Sequence, residues 1–152
     1  MKSTLKRARA RLDERLEPLR PASRFASPPK GWIRAIRDAL GMTGRQFAGR
    51  LNVRPQTVAD IEKSEASGSI RLSTLQRAAD ALGCTLVYAL VPKSSLEDMV
   101  DARARQIALR DLRRVSHTMK LEAQEVGDAD LEERIETYIR ESVRDRDLWD
   151  AP

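Results

Sequence analysis

"RQFAGRLNVRPQTVADIEKSE" (residues 45–65) reads as two short helices around a tight turn. Ala48 is small where the two helices must approach closely. Asn52 stands where the turn wants a positive φ, which glycine tolerates best and asparagine next best. Val53 plugs the turn, and Val58 and Ile61 anchor the second helix from below. Arg54, Gln56, Thr57, Asp60 and Lys63 are left on the opposite face. These are hydrogen-bonding side chains of the types that contact base edges and phosphates. The alternative is a helix pair used only for packing or protein contact.

On the N-terminal side, Trp32 to Leu40 predicts a helix with Trp32, Ile33, Ile36 and Leu40 facing inward and Gly41 as its stop. Thr43 can cap the next helix, which runs to about Leu51. Pro55 occupies a favoured first-turn position of the third, expected to end near Ser64. "EASGSIRL" reads as a loop. Ser73 is the expected cap of a fourth helix with the stripe Leu75, Ala78, Ala79 and Leu82, and Gly83 ends it.

"CTLVYALVP" (84–92) is apolar and β-branched, has no helical period and closes on proline, which predicts one strand. A solitary strand needs a second one for its backbone donors and acceptors, and none is evident. The simplest solution is the same strand of a second copy, giving an intermolecular ribbon with Thr85, Val87 and Ala89 in it. An extended connector is the alternative.

Both ends of the chain differ from this middle. Residues 2–17 read as a basic amphipathic helix with Leu5, Leu12 and Leu16 on one stripe. "LRPASRFASPPKG" (19–31) breaks regular structure and reads as a linker or wrapping arm. After Pro92, Ser95 and Asp98 have capping-box spacing at the start of a long helix. Its stripe is Val100, Ala104, Ile107, Ala108, Leu112, Val115 and Met119, and Gly127 marks a break. A last helix from about Ala129 carries Leu131, Ile135, Tyr138, Ile139 and Val143 on one face.

Charge divides the chain in the same place. Residues 1–92 hold 17 Lys/Arg against 8 Asp/Glu, a net +9, whereas residues 93–152 hold 11 against 15, a net −4. A basic front half suits a polyanion, because neutralising phosphates releases counterions. An acidic back half does not, and points to a separate role.

The segment "TGRQFAGRLNVRPQTVADIEKSE", followed by "SIRLSTLQRAADALGC", resembles the helix-turn-helix of the phage-repressor and XRE family over about residues 31–83. In that family the second paired helix lies in the major groove, and a dimer spans two half-sites about 34 Å apart. The resemblance implies Gln56, Thr57 and Asp60 as base readers. It implies Thr43, Arg45, Gln46, Arg54 and Lys63 as phosphate contacts. Three positions depart from the family pattern. Asn52 stands for the frequent Gly, Arg54 for a Ser or Thr cap, and Pro55 for a base-reading Gln.

A longer order of parts, "PPKGWIRAIRDALGMTGRQFAGRLNV", "LSTLQRAADALGCTLVYALVP" and "RRVSHTMKLEAQ", is similar to the bacterial group called mobile mystery protein A. That group is encoded beside a partner with a Fic domain, a fold that usually transfers AMP from ATP to protein hydroxyls. The implied role is the DNA-binding, antitoxin-like half of a two-gene module. Inhibitory helices of Fic enzymes carry Ser/Thr-x-x-x-Glu-Gly/Asn. Thr118 and Glu122 match the first spacing, with Ala123 where Gly or Asn would stand, as do Thr137 and Glu141, followed by Ser142. A salt-bridged surface glutamate is the competing reading of Glu122.

Nothing in the sequence points to an enzyme. There is one cysteine, Cys84, and one histidine, His117, which disfavours a Cys/His metal site and excludes an intramolecular disulfide. No phosphate-binding glycine loop is present, so no cofactor is expected. No apolar run approaches a membrane span, and no leader-like apolar region follows the basic start, so a cytoplasmic, nucleoid-associated protein is expected.

The expected architecture is an all-α helix-turn-helix domain of four to five helices with one short β-strand pairing across a dimer, plus a C-terminal helical extension. Its divisions are a basic helix and Pro-rich arm (1–27), the DNA-binding domain (28–92) and a helical partner-binding region (93–152). The expected partners are double-stranded DNA, a second copy of the chain and a Fic-domain protein, with no membrane. Two other roles stay open: an inhibitor of the partner with vestigial DNA binding, and a stand-alone phage-type repressor.

Overall fold

A computed structural model of the chain describes residues 2–118 and 128–150. It contains α1 (Lys2–Leu16), α2 (Trp32–Ala39), α3 (Gly44–Leu51), α4 (Pro55–Ser67), α5 (Leu72–Ala81), α6 (Leu96–Thr118) and α7 (Asp128–Ser142), with short 3-10 turns at Glu17–Leu19, Ala22–Phe25 and Asp145–Asp147. The chain divides into two units. One is residues 21–90; the other combines residues 1–20 with 91–152.

In the first unit, α2 to α5 surround a core of Ile33, Phe47, Ala48, Leu51, Val58, Ala78 and Leu82. Ala48 is 1% exposed and Val58 2%, so α3 and α4 approach closely at small and β-branched residues. Met42, Val53, Ile61 and Leu75 pack against this core from its rim. Each helix stops at a residue suited to left-handed backbone. Gly41 (φ 65), Asn52 (φ 55), Gly68 (φ 76) and Gly83 (φ 71) follow α2, α3, α4 and α5.

Several sequence expectations change here. Trp32 and Leu40 are 46% and 59% exposed rather than inward, because Ile33 and Ile36 alone of that stripe meet the core. α4 continues through "EAS" to Ser67, stopped by Gly68 rather than at Ser64. α5 starts one residue before Ser73, with Arg71 at the cap position and no side-chain cap. The expected strand does not form within a single copy of the chain. Residues 84–91 run as coil, and no strand forms among the described residues. A ladder needs a second extended segment, and the described residues of one chain supply none.

The second unit is built on α6. α1 and α7 both pack against it. Among the described residues, Ala104, Ala108, Ile135 and Leu148 are its buried apolar residues. Of the expected leucine stripe of α1 only Leu16 is half-buried, whereas Leu5 and Leu12 are 43% and 49% exposed. α1 also docks through polar groups. Asp13 accepts from the Leu96 and Glu97 amides at 2.7 and 3.4 Å, and Arg9 Nε donates to Glu97 Oε2 at 2.6 Å. Ser95 Oγ accepts from the Asp98 amide at 2.9 Å, so Asp13 and Ser95 between them satisfy the amides that begin α6. After α7, the chain returns to bury Leu148, whose carbonyl accepts from Arg103 Nε at 2.7 Å. The apolar period of α7 does not extend to this residue.

Candidate nucleic-acid interface

The paired helices α3 and α4 are set by local chemistry at both ends of α3. Thr43 and Gln46 form a reciprocal capping box: Gln46 N donates to Thr43 Oγ1 at 3.2 Å, and Thr43 N donates to Gln46 Oε1 at 2.8 Å. Both side chains use acceptors in this box. The Thr43 hydroxyl proton and the Gln46 NH2 group remain as donors. At the other end, Asn52 takes φ 55 and ψ 45, and the Val53 amide donates to the Ala48 carbonyl at 3.0 Å. That closes the turn and carries the chain into α4.

Arg54 precedes α4 in an extended conformation (φ −77, ψ 150) and makes no capping hydrogen bond, leaving Pro55 to start the helix. The inner face of α4 carries buried Val58 and Glu62. The outer face leaves Arg54, Gln56, Asp60 and Lys63 exposed, with Thr57 half-buried beside them. Gln56 Nε2 donates to Asp60 Oδ1 at 3.5 Å, an i,i+4 contact along that face. Arg45, on the first turn of α3, is also exposed. Arg50 is directed elsewhere, donating to the Ala81 carbonyl at the end of α5 at 2.9 Å.

Beyond the shared core of Ile33 and Val58, a polar tether holds α4 against α2. Arg37 Nε donates to Glu62 Oε1 at 2.6 Å and its NH2 to Glu62 Oε2 at 3.3 Å. The two side chains are only 12% and 10% exposed. A third Arg37 donor reaches the Met42 carbonyl at 2.8 Å. The hydrogen bond to Glu62, opposed by burial and helped by the charge of Glu62, raises the Arg37 pKa, so this cation is permanent. One turn further, Glu65 Oε1 accepts from the Ile33 amide at 2.9 Å and so caps α2 from α4. Gly31 allows this approach: at φ 86 it has no side chain, and a Cβ there would overlap the Glu65 carboxylate. The spacing Val58, Glu62, Glu65 is i, i+4, i+7. Two glutamates in register with a core valine are the sequence signal for this tether.

Thr85, Val87 and Ala89 lie in the coil after α5 and are exposed. Val87, Tyr88 and Leu90 are 82%, 73% and 90% exposed, beside a groove of about 270 Å³ lined by Trp32, Leu75 and Leu86 among others. Thr118 closes the described part of α6, and Glu122 lies outside the described residues. Among the described residues, no group of three or more His, Cys, Asp or Glu could hold a metal, and no helix is long and apolar enough to cross a membrane.

The chain has no match among curated proteins and none among solved structures. The family model described as Helix-turn-helix matches residues 33–88, the stretch that holds the capping box, the turn at Asn52 and the exposed face of α4. Residues 33–88 are therefore a helix-turn-helix domain of the XRE type, the kind carried by DNA-binding regulators.

Proposed function

We propose that the protein is a sequence-specific DNA-binding repressor in which α4 enters the major groove. Gln56, Thr57 and Asp60 read base edges there. Thr43, Arg45, Gln46, Arg54 and Lys63 hold phosphates. The supporting observation is the outer face of α4, where Gln56 and Asp60 stay exposed while Val58 and Glu62 occupy the core side. The Gln56–Asp60 contact presents both side chains together, and each retains hydrogen-bonding capacity for a base pair. Two copies of the domain, joined through residues 84–91, would occupy two half-sites. The uncovered apolar side chains of that segment support this pairing.

Selection of a bound sequence from a random duplex pool, followed by titration of variants, tests the reading. Gln56→Ala should cost about 1–3 kcal/mol on the selected sequence and little on random duplex. Equal losses on both, or none on either, would remove α4 as the reading element.

The resemblance to the mobile mystery protein A group, which covers most of residues 28–125, supports one further part of the proposal, a Fic-domain partner held by the C-terminal helices and restrained by Thr118 and Glu122. Co-purification with the product of the adjacent reading frame tests it. A chain cut after Pro92 should keep DNA binding and lose that protein. A neighbour without a Fic motif would end this part of the reading and leave the repressor standing.

A further inference from the structure

The charges of α1 are sorted by face. Lys6, Arg9, Asp13 and Leu16 recur at i, i+3, i+7 and i+10. Arg9 and Asp13 are bound to the start of α6, Lys6 lies 3.9 Å from the Glu97 carboxylate, and Leu16 is half-buried. The opposite face carries Arg7, Arg11 and Arg15 at i, i+4 and i+8, all exposed. Among the described residues, none of these three makes a hydrogen bond or ion pair with another. At 3.6 residues per turn they lie within an arc of about 80°, with neighbours about 6 Å apart along the axis. Charge on the docked face is neutralised, whereas the outer face, with exposed Glu14 at its edge against three arginines, keeps a net positive charge for something outside the chain.

We infer that the Arg7–Arg11–Arg15 stripe of α1 is a second duplex-DNA surface, one that binds backbone phosphates without reading sequence. Three guanidiniums at regular spacing on a rigid helix complement a line of phosphates, and arginine suits such contacts through its fork of donors. Asp13 and the Arg9–Glu97 pair give the stripe its rigidity, because they hold α1 on α6. Phosphate-only contacts position a protein and add affinity that falls with salt. This inference rests on the DNA-binding reading of α4, because a domain already on a duplex brings α1 to the same polyanion at high local concentration.

The test is the salt dependence of full-length chain on a 40-base-pair random duplex, followed by anisotropy. Replacing Arg7, Arg11 and Arg15 together by glutamine should flatten the plot of log K against log salt by about 0.9 for each phosphate no longer neutralised, up to about 3 in all. Replacing all three by lysine should restore most of the slope. Because the three side chains are exposed, circular dichroism melting should match the parent. An unchanged slope in the glutamine variant, with a parent that binds, overturns the α1 surface and leaves α4 untouched. A parent that binds no duplex overturns both. Loss of binding to vesicles of anionic phospholipid, with the DNA slope unchanged, would assign the stripe to a membrane surface and also overturn the inference.

Discussion

Two single residues at helix starts, Gly31 before α2 and Arg54 before α4, shape the helix-turn-helix domain. Gly31 sits at φ 86 and ψ 165, a region open essentially to glycine alone, and its missing side chain lets Glu65 cap α2. Gly31→Ala should lower stability by about 1–3 kcal/mol from backbone strain, read by urea unfolding. Displacing Glu65 from the Ile33 amide would add to that loss. Arg54 presents the opposite case, a poor capping residue placed where a good one would fit. Arg54→Ser should raise stability by about 1 kcal/mol by supplying a cap to α4. The same change should flatten the salt dependence of DNA binding by about 0.9 if Arg54 holds one phosphate. A rise in stability with the salt slope unchanged would show that Arg54 stands clear of the duplex.

Among the helices, α4 has two faces with different duties. Its inner face is not purely apolar, since Glu62 and Glu65 tie it to α2 through Arg37 and the Ile33 amide. A half-broken pair leaves a desolvated charge without its partner. Arg37 would still hold Asp38, 3.1 Å from its NH1, so Glu62→Ala should cost about 1–3 kcal/mol, and Arg37→Met combined with Glu62→Leu should recover much of it. A double-mutant cycle in urea checks this, and additive losses would mean the pair carries no coupling. α1 shows the same preference for polar docking. Its leucine spacing predicts a core stripe, yet only Leu16 of that stripe is half-buried; Arg9 and Asp13 make the polar contacts and Leu5 and Leu12 stay exposed. Hydrophobic period marks a helix reliably, but not always the face that docks.

For the molecule as a whole, stability should depend on pH through the α6–α7 contact. The Tyr138 hydroxyl donates to Asp111 Oδ2 at 2.9 Å, and Arg110 Nε donates to Asp111 Oδ1 at 3.0 Å. Burial pushes the Asp111 carboxyl up, but the hydrogen bonds from Tyr138 and Arg110 outweigh it and hold the pKa below the ordinary value. A depressed carboxyl contributes stability above its unfolded pKa and loses it as pH falls through the folded one. The hydrogen bond to Asp111 raises the Tyr138 pKa, so its contribution is present below the ordinary tyrosine value and lost as pH rises through the folded one. Asp111→Asn should cost about 1.5–3 kcal/mol at neutral pH, the range for a hydrogen bond to a charged group. In melting curves the deficit should begin to shrink as pH falls below the ordinary carboxylate value of about 4, and go on shrinking as the folded carboxyl, held lower, protonates. A deficit constant from pH 7 to pH 3 would separate Asp111 from the acid limb. Assembly is likewise a property of the entire chain. Val87→Pro removes a ladder donor and should weaken self-association in sedimentation at least tenfold if residues 84–91 pair across two copies. An unchanged dimer would place the interface elsewhere.

The helix pair, its turn and its exposed polar face follow from the order of residues alone. They depend on short-range physics: a capping box three residues wide, left-handed backbone at Asn52, proline at the first turn, and apolar residues at helical spacing. Residues 33–88 are legible as a helix-turn-helix for that reason. Which polar residues work inside emerges only when the helices pack. Glu62, Glu65 and Arg37 look like any charged surface until α2 and α4 are brought together, and Leu148 looks like a tail residue until it folds onto α6. Packing likewise leaves residues 84–91 without a strand inside one chain, because pairing is a relation between segments that local propensity cannot supply.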